Sequence, residues 1–327
     1  MDLIYTNAQK KDLGVLSAYA FDFSFGETEN NFEMVLSTDD AAIEYGAFLY
    51  IEGTEYGGIV DAKRSISRDQ AITYIGRTWH GMMNSKIIQP DTGADYFTIS
   101  GMDANAALSV VIARLGLSDL FSAAEIESGI NISSYQFNRY CKGYDGIRAM
   151  LLSVGAKLKI EWIDRAVVLS AVPIVDYTTA PIDSDTATLT VENHEKKVNH
   201  LICLGRGDLA AREVLHLYID GNGNISDTQH FFGIAEIVDT YDYSNAESSE
   251  ELRKGGIERM AELRNIDKAE IALLEDEKII YDVGDIVPAT DIVSGITASA
   301  AVTQKIVKIS NGAITTEYKT GSVKKNG

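Results

Sequence analysis

Hydrophobic and polar residues alternate position by position through much of the first hundred residues. In residues 19–25 every second side chain is aromatic, and residues 32–36 repeat the alternation with Phe, Met and Leu. A period of two is typical of a β-strand with one buried face. A polar segment separates the two runs, so the pattern predicts a β-hairpin. The short connections favour an antiparallel meander or barrel, with further strands at 47–52, 57–66 and 70–79.

The pattern becomes helical after residue 98. Asp103 is suited to cap a helix with one apolar stripe that ends at Gly116. Asp145 is suited to cap a second helix, which ends at Gly155. A strand pair at 157–163 and 166–172 follows. These elements predict a small α+β domain.

Strands return towards the C-terminus and enclose one more helix. Ser248 and Glu251 have the spacing of a capping box at the start of this helix. Gly255 and Gly256 each weaken it by about 1 kcal/mol relative to alanine, so packing must stabilise it. The order of elements predicts a mainly β fold with α+β insertions, its later strands lying at 186–192, 197–204, 212–219, 232–242, 268–275, 278–283, 286–288, 300–309 and 313–319.

The composition limits the classes of partner. The 327 residues include 29 Lys and Arg and 48 Asp and Glu, so the formal net charge is −19. A basic surface is needed to hold nucleic acid or an anionic membrane, so this balance disfavours both. No segment approaches the roughly 20 consecutive apolar residues that span a bilayer, and we expect no membrane anchor. Cys141 and Cys203 have no metal-ligand spacing, and free thiols are expected.

Much of the negative charge lies near the N-terminus. Residues 1–60 contain eleven acids against Lys10 and Lys11, a balance of about −9. One interpretation is a solvated acidic face that keeps the protein soluble. The other is a surface that repels a polyanion.

The sequence contains none of the common catalytic or cofactor motifs. It has no HExxH, P-loop, GxGxxG or GxSxG pattern. A metal site that combines His194 and His200 with Glu192 and Glu195 is the alternative to ordinary surface or half-buried histidines, which we favour. We therefore expect no catalytic residue, no cofactor-binding residue and no metal ligand.

The order of segments resembles a family of phage tail proteins. The resemblance rests on YGGIVDAKR at 56–64, ITYIGR at 72–77 and KIIQP at 86–90, followed by the capped helix from Asp103. The C-terminal part is similar too, with YDVGDIV at 281–287, IVKI at 306–309, Asn311-Gly312 and EYKTG at 317–321. The family is the phage tail hub or tail-tip family, of the siphophage ReqiPepy type and related to baseplate hub proteins.

This resemblance implies a phage tail hub architecture of two tube-like β-barrel domains plus two smaller domains. The first barrel would be residues 1–98, followed by the α+β domain at 99–174. The second barrel would combine 175–200 with 268–322, interrupted by an inserted hairpin and helix domain at 201–267.

The resemblance also implies a structural role in a phage, prophage or phage-tail-like particle. A homotrimeric ring would adapt the hexameric tail tube to the threefold tip or spike and would line the channel. The implied partners are further copies of this chain, tail-tube and distal tail or baseplate proteins, the tape-measure protein and the tip or spike protein. No specific nucleic-acid binding is expected. The implied location is the virion tail, after assembly in the bacterial cytoplasm.

A channel that passes DNA should not bind it, and a negative lining lets a polyanion slide. We therefore expect part of the N-terminal acid cluster to face the lumen of the ring, the candidates being Asp22, Glu27, Glu29, Glu33, Asp39 and Asp40.

Two other functions compete with the structural hub. One is a tail-associated cell-wall hydrolase, which lysis of peptidoglycan by the isolated chain would reveal. The other is a host-receptor-binding tail module, which is suggested by the 16 tyrosines because interfaces are enriched in tyrosine. Half-buried strands account for most tyrosines without any ligand.

Overall fold

Strands outnumber helices in this computed structural model, which describes residues 2–16, 18–38, 42–65, 68, 70–179, 187–192, 196–264, 268–273, 280–291, 296–310, 313–322 and 324–326. The chain divides into two units. Unit 1 comprises Met1–Leu189 and Ile271–Gly327, and unit 2 comprises Thr190–Glu270.

The first part of unit 1 is formed by short strands that follow each other closely. They are β1 (Leu3–Thr6), β2 (Asp12–Leu16), β3 (Ala20–Gly26), β4 (Asn31–Ser37), β5 (Phe48–Tyr50), β6 (Gly57–Ser65) and β7 (Ala71–Thr78).

Helices and strands then alternate. The elements are α1 (Trp79–Asn84), β8 (Ile87–Ile88), β9 (Thr98–Asp103), α2 (Ala104–Arg114), β10 (Phe121–Ala123), β11 (Asn131–Gln136), β12 (Cys141–Lys142), α3 (Gly143–Leu152), β13 (Ala156–Ile163), β14 (Ala166–Pro173) and a 3-10 turn at Tyr177–Thr179.

The remaining elements begin with the passage into unit 2 and end back in unit 1. They are β15 (Ala187–Glu192), β16 (His200–Leu204), β17 (Val214–Ile219), β18 (Ile225–Ser226), β19 (Val238–Asp242), α4 (Ser249–Arg264), β20 (Lys268–Leu273), β21 (Ile286–Asp291), β22 (Ile296–Ser310), β23 (Ala313–Thr320) and β24 (Lys324–Asn326), with 3-10 turns at Leu209–Ala211 and Gly233–Ala235.

One sheet of eleven strands contains both ends of unit 1. Its order is β2-β1-β5-β6-β7-β4-β3-β22-β21, and β23 and β24 also pair with β22. The predicted hairpin is confirmed, because β3 and β4 pair in antiparallel register with Phe23 opposite Phe32. On its other edge β3 pairs with β22, which places Phe23 opposite Val307. These side chains form an aromatic and aliphatic core on one face of the sheet.

The helices α2 and α3 share a second core with the small sheet β10-β14-β13. The cap prediction for α2 is confirmed, since the Asp103 carboxylate accepts a hydrogen bond from the Asn105 N–H at 2.8 Å. Trp79 and Trp162 stack at 5.1 Å between ring centroids in this core. Because Trp79 precedes residue 98, the core uses residues from both sides of the predicted 98/99 boundary.

The predicted cap of α3 is wrong by three residues, because Lys142 and not Asp145 occupies the cap position. The helix begins at Gly143, and Asp145 lies in its first turn rather than at the cap. A tertiary contact fixes this start, because the Gly143 N–H donates to the Lys86 carbonyl at 2.8 Å. A β-carbon at residue 143 would lie 2.5 Å from the Met83 carbonyl oxygen, so only glycine allows this close approach.

Unit 2 packs helix α4 against one face of the four-stranded sheet β18-β17-β16-β19. Gly256 explains how packing stabilises a helix with two glycines. A β-carbon there would lie 2.5 Å from Cys203 Sγ, so the glycine lets the helix approach the sheet. β17 and β18 form a hairpin, and in its turn the Asp220 carboxylate accepts from the Asn222 and Asn224 N–H groups at 2.8 Å each.

The mainly β prediction is confirmed, but two predicted strand segments are wrong. Residues 280–283 are not a strand. Residues 232–237 form a loop with a 3-10 turn, and Asn199 holds this loop through the Ala235 carbonyl and the Ile237 N–H. Strands that were expected in different barrels share one sheet. The division into two tube-like barrels and two smaller domains stays a prediction.

Candidate functional site

The face of the large sheet opposite its aromatic core carries charged side chains. Since successive residues of a strand point to opposite faces, Asp22 and Ser24 lie on the face that Phe21 and Phe23 do not occupy. Asp22 is directly opposite Glu33 on β4 and Lys308 on β22. Two carboxylates and one ammonium group therefore form a row across three neighbouring strands.

These side chains line a cavity of about 400 Å³, which we call the acidic cleft. Four carboxylates face a single ammonium group among its lining residues, so its net charge is negative. Burial raises the pKa of Asp22, and repulsion from Glu317, Glu33 and Glu29 adds to this rise while Lys308 opposes it. The lining residues are Asp22, Ser24, Glu29, Asn31, Glu33, Ile75, Ile306, Lys308 and Glu317.

Two ion pairs partly neutralise the acidic cleft. Arg64 Nη2 donates to Glu33 Oε2 at 2.7 Å, and Lys308 Nζ donates to Glu317 Oε1 at 2.7 Å. Roughly half of the side-chain surface is exposed in each of these four residues. Exposed pairs of this kind contribute about 0–1 kcal/mol to stability.

Gln304 holds the turn that carries Glu29. Its buried amide nitrogen donates to Ser24 Oγ at 2.7 Å and to the Glu29 carbonyl at 2.8 Å. Its amide oxygen accepts from the Thr28 N–H at 3.0 Å. The position of Glu29 at the cleft therefore depends on a residue 275 positions later in the chain.

The structure brings together three of the six candidate lumen-facing acids, Asp22, Glu29 and Glu33. Glu27 lies at a different cavity, where Arg148 Nη2 donates to its Oε1 at 2.9 Å. Asp39 and Asp40 lie outside the described residues. Sequence reasoning missed Glu317 and Lys308. The alternation of 313–320 is a signal for a strand, but nothing local shows that this strand pairs with β22, whose other edge pairs with β3.

A second group of charges lies on the other side of β22, and we call it the buried ion network because Lys157, Asp285 and Lys305 are buried in it, whereas Glu55 and Asp282 are partly exposed. Lys305 Nζ lies 2.8 Å from Glu55 Oε1 and 3.5 Å from Asp282 Oδ1. Lys157 Nζ lies 2.8 Å from Asp282 Oδ2 and 2.7 Å from Asp285 Oδ1. These charges connect segments that are distant in the sequence.

The network shifts the pKa of its members because the charges are shielded from water. Burial opposes the charge of Lys305, but attraction to Glu55, Tyr56 and Asp282 outweighs it and raises the lysine pKa. Burial also opposes the charge of Asp282, yet the two lysines lower its pKa. Beside the network, burial lowers the pKa of His80 to about 3, and Lys305 and Arg148 add to this. His80 is therefore neutral at physiological pH.

No family model matches the sequence, and no curated protein matches it either. Several solved structures are similar to this one. The prophage tail protein gp18 from Listeria monocytogenes EGD-e aligns over 98% of this chain and 95% of its own, with a TM-score of 0.50 and 12% identity. This chain shares the fold of that tail protein.

Two further tail proteins align over nearly the whole chain with lower structural agreement. The tail protein from Neisseria meningitidis MC58 covers 98% of this chain and 96% of its own, with a TM-score of 0.45 and 14% identity. The 43 kDa tail protein of prophage MuSo2 from Shewanella oneidensis covers 98% of each chain, with a TM-score of 0.47 and 13% identity.

None of the described helices is both long and apolar enough to cross a membrane. Within the described ranges, no cluster of three or more His, Cys, Asp or Glu side chains has the geometry to hold a metal ion. Both cysteines are free thiols, as predicted. His194 and Glu195 of the alternative metal site lie outside the described residues.

Proposed function

We propose that this chain is a structural component of a phage tail, a prophage tail or a phage-tail-like particle. The observation that carries the proposal is the fold shared with the Listeria prophage tail protein over 98% of this chain. A likeness that spans both chains almost completely fits a common role better than a single shared module would.

We further propose the role of a tail-tip or baseplate hub that forms a homotrimeric ring between the hexameric tube and the threefold tip. Its partners would be the tail-tube, distal tail or baseplate, tape-measure and tip or spike proteins, and its place the virion tail. The acidic cleft supports the channel part of this proposal, because a negative surface repels the DNA backbone. In this role Asp22, Glu29 and Glu33 face the lumen.

The mass of the purified chain tests the ring. We expect three times the 35.7 kDa chain mass, either for the chain alone or after addition of its tail-tube partner, by light scattering or native mass spectrometry. A strict monomer under both conditions contradicts the hub. An electron cryo-microscopy map of the assembled tip tests the lining, and an acidic cleft on its outer wall would refute the lumen assignment.

The proposed role includes no catalysis and no cofactor. Zymography on peptidoglycan tests this part separately. We expect no clearing by the isolated chain at concentrations where a known hydrolase clears the gel. Clearing that persists in a repurified sample would replace the structural role with a cell-wall hydrolase.

A further inference from the structure

Two histidines 16 residues apart in the sequence meet on the sheet of unit 2. His200 on β16 lies directly opposite Tyr218 on β17, so His216, two residues before Tyr218, is on the same face. The neighbouring Leu201 and Leu217 point to the other face, towards α4. The two rings come so close that His200 Nε2 lies 2.8 Å from His216 Nδ1.

Glu236 fixes which nitrogen of His200 carries the proton. Its Oε1 lies 2.6 Å from His200 Nδ1, and Gln229 Nε2 donates to the same oxygen at 2.9 Å. An ionised carboxylate only accepts hydrogen bonds, so Nδ1 of the neutral ring carries the hydrogen. The lone pair of His200 Nε2 therefore points towards His216. A carboxylate behind an imidazole is the arrangement that orients metal-binding histidines and raises their basicity.

The two facing nitrogens are joined by a hydrogen bond from His216 Nδ1–H to His200 Nε2 at 2.8 Å, and two nitrogens bound to one metal ion can lie at the same distance. Two imidazoles in cis positions of a square-planar ion, each about 2.0 Å from the metal, place their nitrogens about 2.8 Å apart. Tetrahedral zinc needs about 3.3 Å between the nitrogens, so the rings would have to separate. His200 is buried and its ring stacks on Tyr218 at 4.5 Å between centroids, whereas His216 is exposed and can turn.

We propose that His200 and His216 form a two-imidazole site for a divalent transition metal, with Cu(II) preferred over Ni(II) and Zn(II). When the metal binds, the hydrogen of His216 Nδ1 moves to its Nε2, which frees Nδ1 to coordinate. Water completes the coordination, because His216 is exposed to solvent. The order of preference follows both the square-planar spacing and the general affinity series of divalent metals.

Titration of the full chain with NiCl2 by isothermal calorimetry tests the site. We expect His216→Ala to weaken Ni(II) binding at least 10-fold, because a single imidazole then remains. His230→Ala is the matched control, since His230 is an exposed histidine of the same unit. The Ni(II) affinity of this variant should stay within 2-fold of wild type. Glu236→Gln keeps an oxygen acceptor for His200 but removes the charge, and should weaken binding about 10-fold.

Cu(II) electron paramagnetic resonance supplies an independent measurement. We expect the superhyperfine pattern of two coordinated nitrogens in the wild type and in His230→Ala, and its loss in His216→Ala. Far-UV circular dichroism confirms that each variant is folded. Wild-type affinity in His216→Ala, or no Ni(II) binding by the wild type, overturns the proposal.

Discussion

Lys305 and Lys308 lie three residues apart on β22, yet Lys305 is buried and Lys308 is exposed to solvent. Lys305 shares the core face with Val307 and is 2% exposed, held by Glu55 and Asp282. Lys308 points into the acidic cleft, where its partner Glu317 is largely exposed to solvent. The two lysines have the same charge, and their nitrogens lie 2.8 and 2.7 Å from the nearest carboxylate oxygen, so the difference lies in the access of water.

This contrast separates the charges that stabilise the fold from those available for function. A charge pair shielded from water interacts strongly, and removal of one partner leaves the other charge buried without compensation. A pair in water gains little because solvent screens it. The buried ion network should therefore control stability. The acidic cleft should tolerate substitution and act mainly through its electrostatic potential.

The largest expected effect is that of Lys305→Met, which leaves the carboxylate of Glu55, only 20% exposed, without its partner. We expect a loss of about 3–5 kcal/mol in the free energy of unfolding, measured by urea denaturation at pH 7. Lys308→Met is the matched control on the same strand, and its loss should be much smaller because water screens the pair with Glu317.

A second variant keeps this prediction testable if Lys305→Met is poorly soluble. Adding Glu55→Gln removes the uncompensated charge, so the double variant should recover part of the lost stability. Equal losses in Lys305→Met and Lys308→Met would show that burial does not distinguish the two sites.

The sequence predicted local features of this comparison but not its long-range contacts. Alternation in residues 19–25 showed which face of β3 is buried, and the acid count showed where negative charge is dense. Neither pattern could show that β3 pairs with β22, because pairing between strands about 280 residues apart leaves no local periodicity. Lys305 occupies an inward position of its strand, and its partners Glu55 and Asp282 lie in segments that only the fold brings near.

The same limit applies to residues that sequence reasoning placed incorrectly or missed. Asp145 has the properties of a helix cap, but the contact between Gly143 and Lys86 starts the helix earlier. His200 and His216 have no motif spacing, and only the register of β16 and β17 brings them together. Asp103, whose cap is local, was predicted correctly.

The next effect is a pH dependence that arises beside the buried ion network. The unfolded chain protonates His80 with its ordinary pKa of 6.5, whereas the folded chain resists protonation until about pH 3. Stability from this group is complete above pH 6.5 and is lost as the pH falls towards 3. Between pH 7.5 and pH 5 the expected loss is about 2 kcal/mol.

Urea denaturation at the two pH values measures this loss, and His80→Phe identifies its source. Phenylalanine can keep the stacking on Phe25, which His80 makes at 4.5 Å between ring centroids, but it does not titrate. The variant should lose about 2 kcal/mol less than the wild type over this pH range. His230→Ala removes an exposed histidine and should behave as the wild type. Equal pH dependence in His80→Phe and wild type would refute this assignment.

The smallest effect is expected in the acidic cleft, and it has the opposite sign. Because the pKa of Asp22 is raised in the folded state, its ionised form opposes folding at pH 7, and this penalty disappears as the pH falls below the ordinary value of 3.8. Asp22→Asn should therefore stabilise the protein by a few tenths of a kcal/mol in 50 mM salt, and less in 1 M salt. Glu125→Gln, at an exposed acid outside the cleft, should change stability less. A gain in stability at Asp22 alone would mean that the negative charge of the cleft lowers stability, as expected of a surface that is kept acidic to repel a passing polyanion. A loss would mean that Asp22 stabilises the fold.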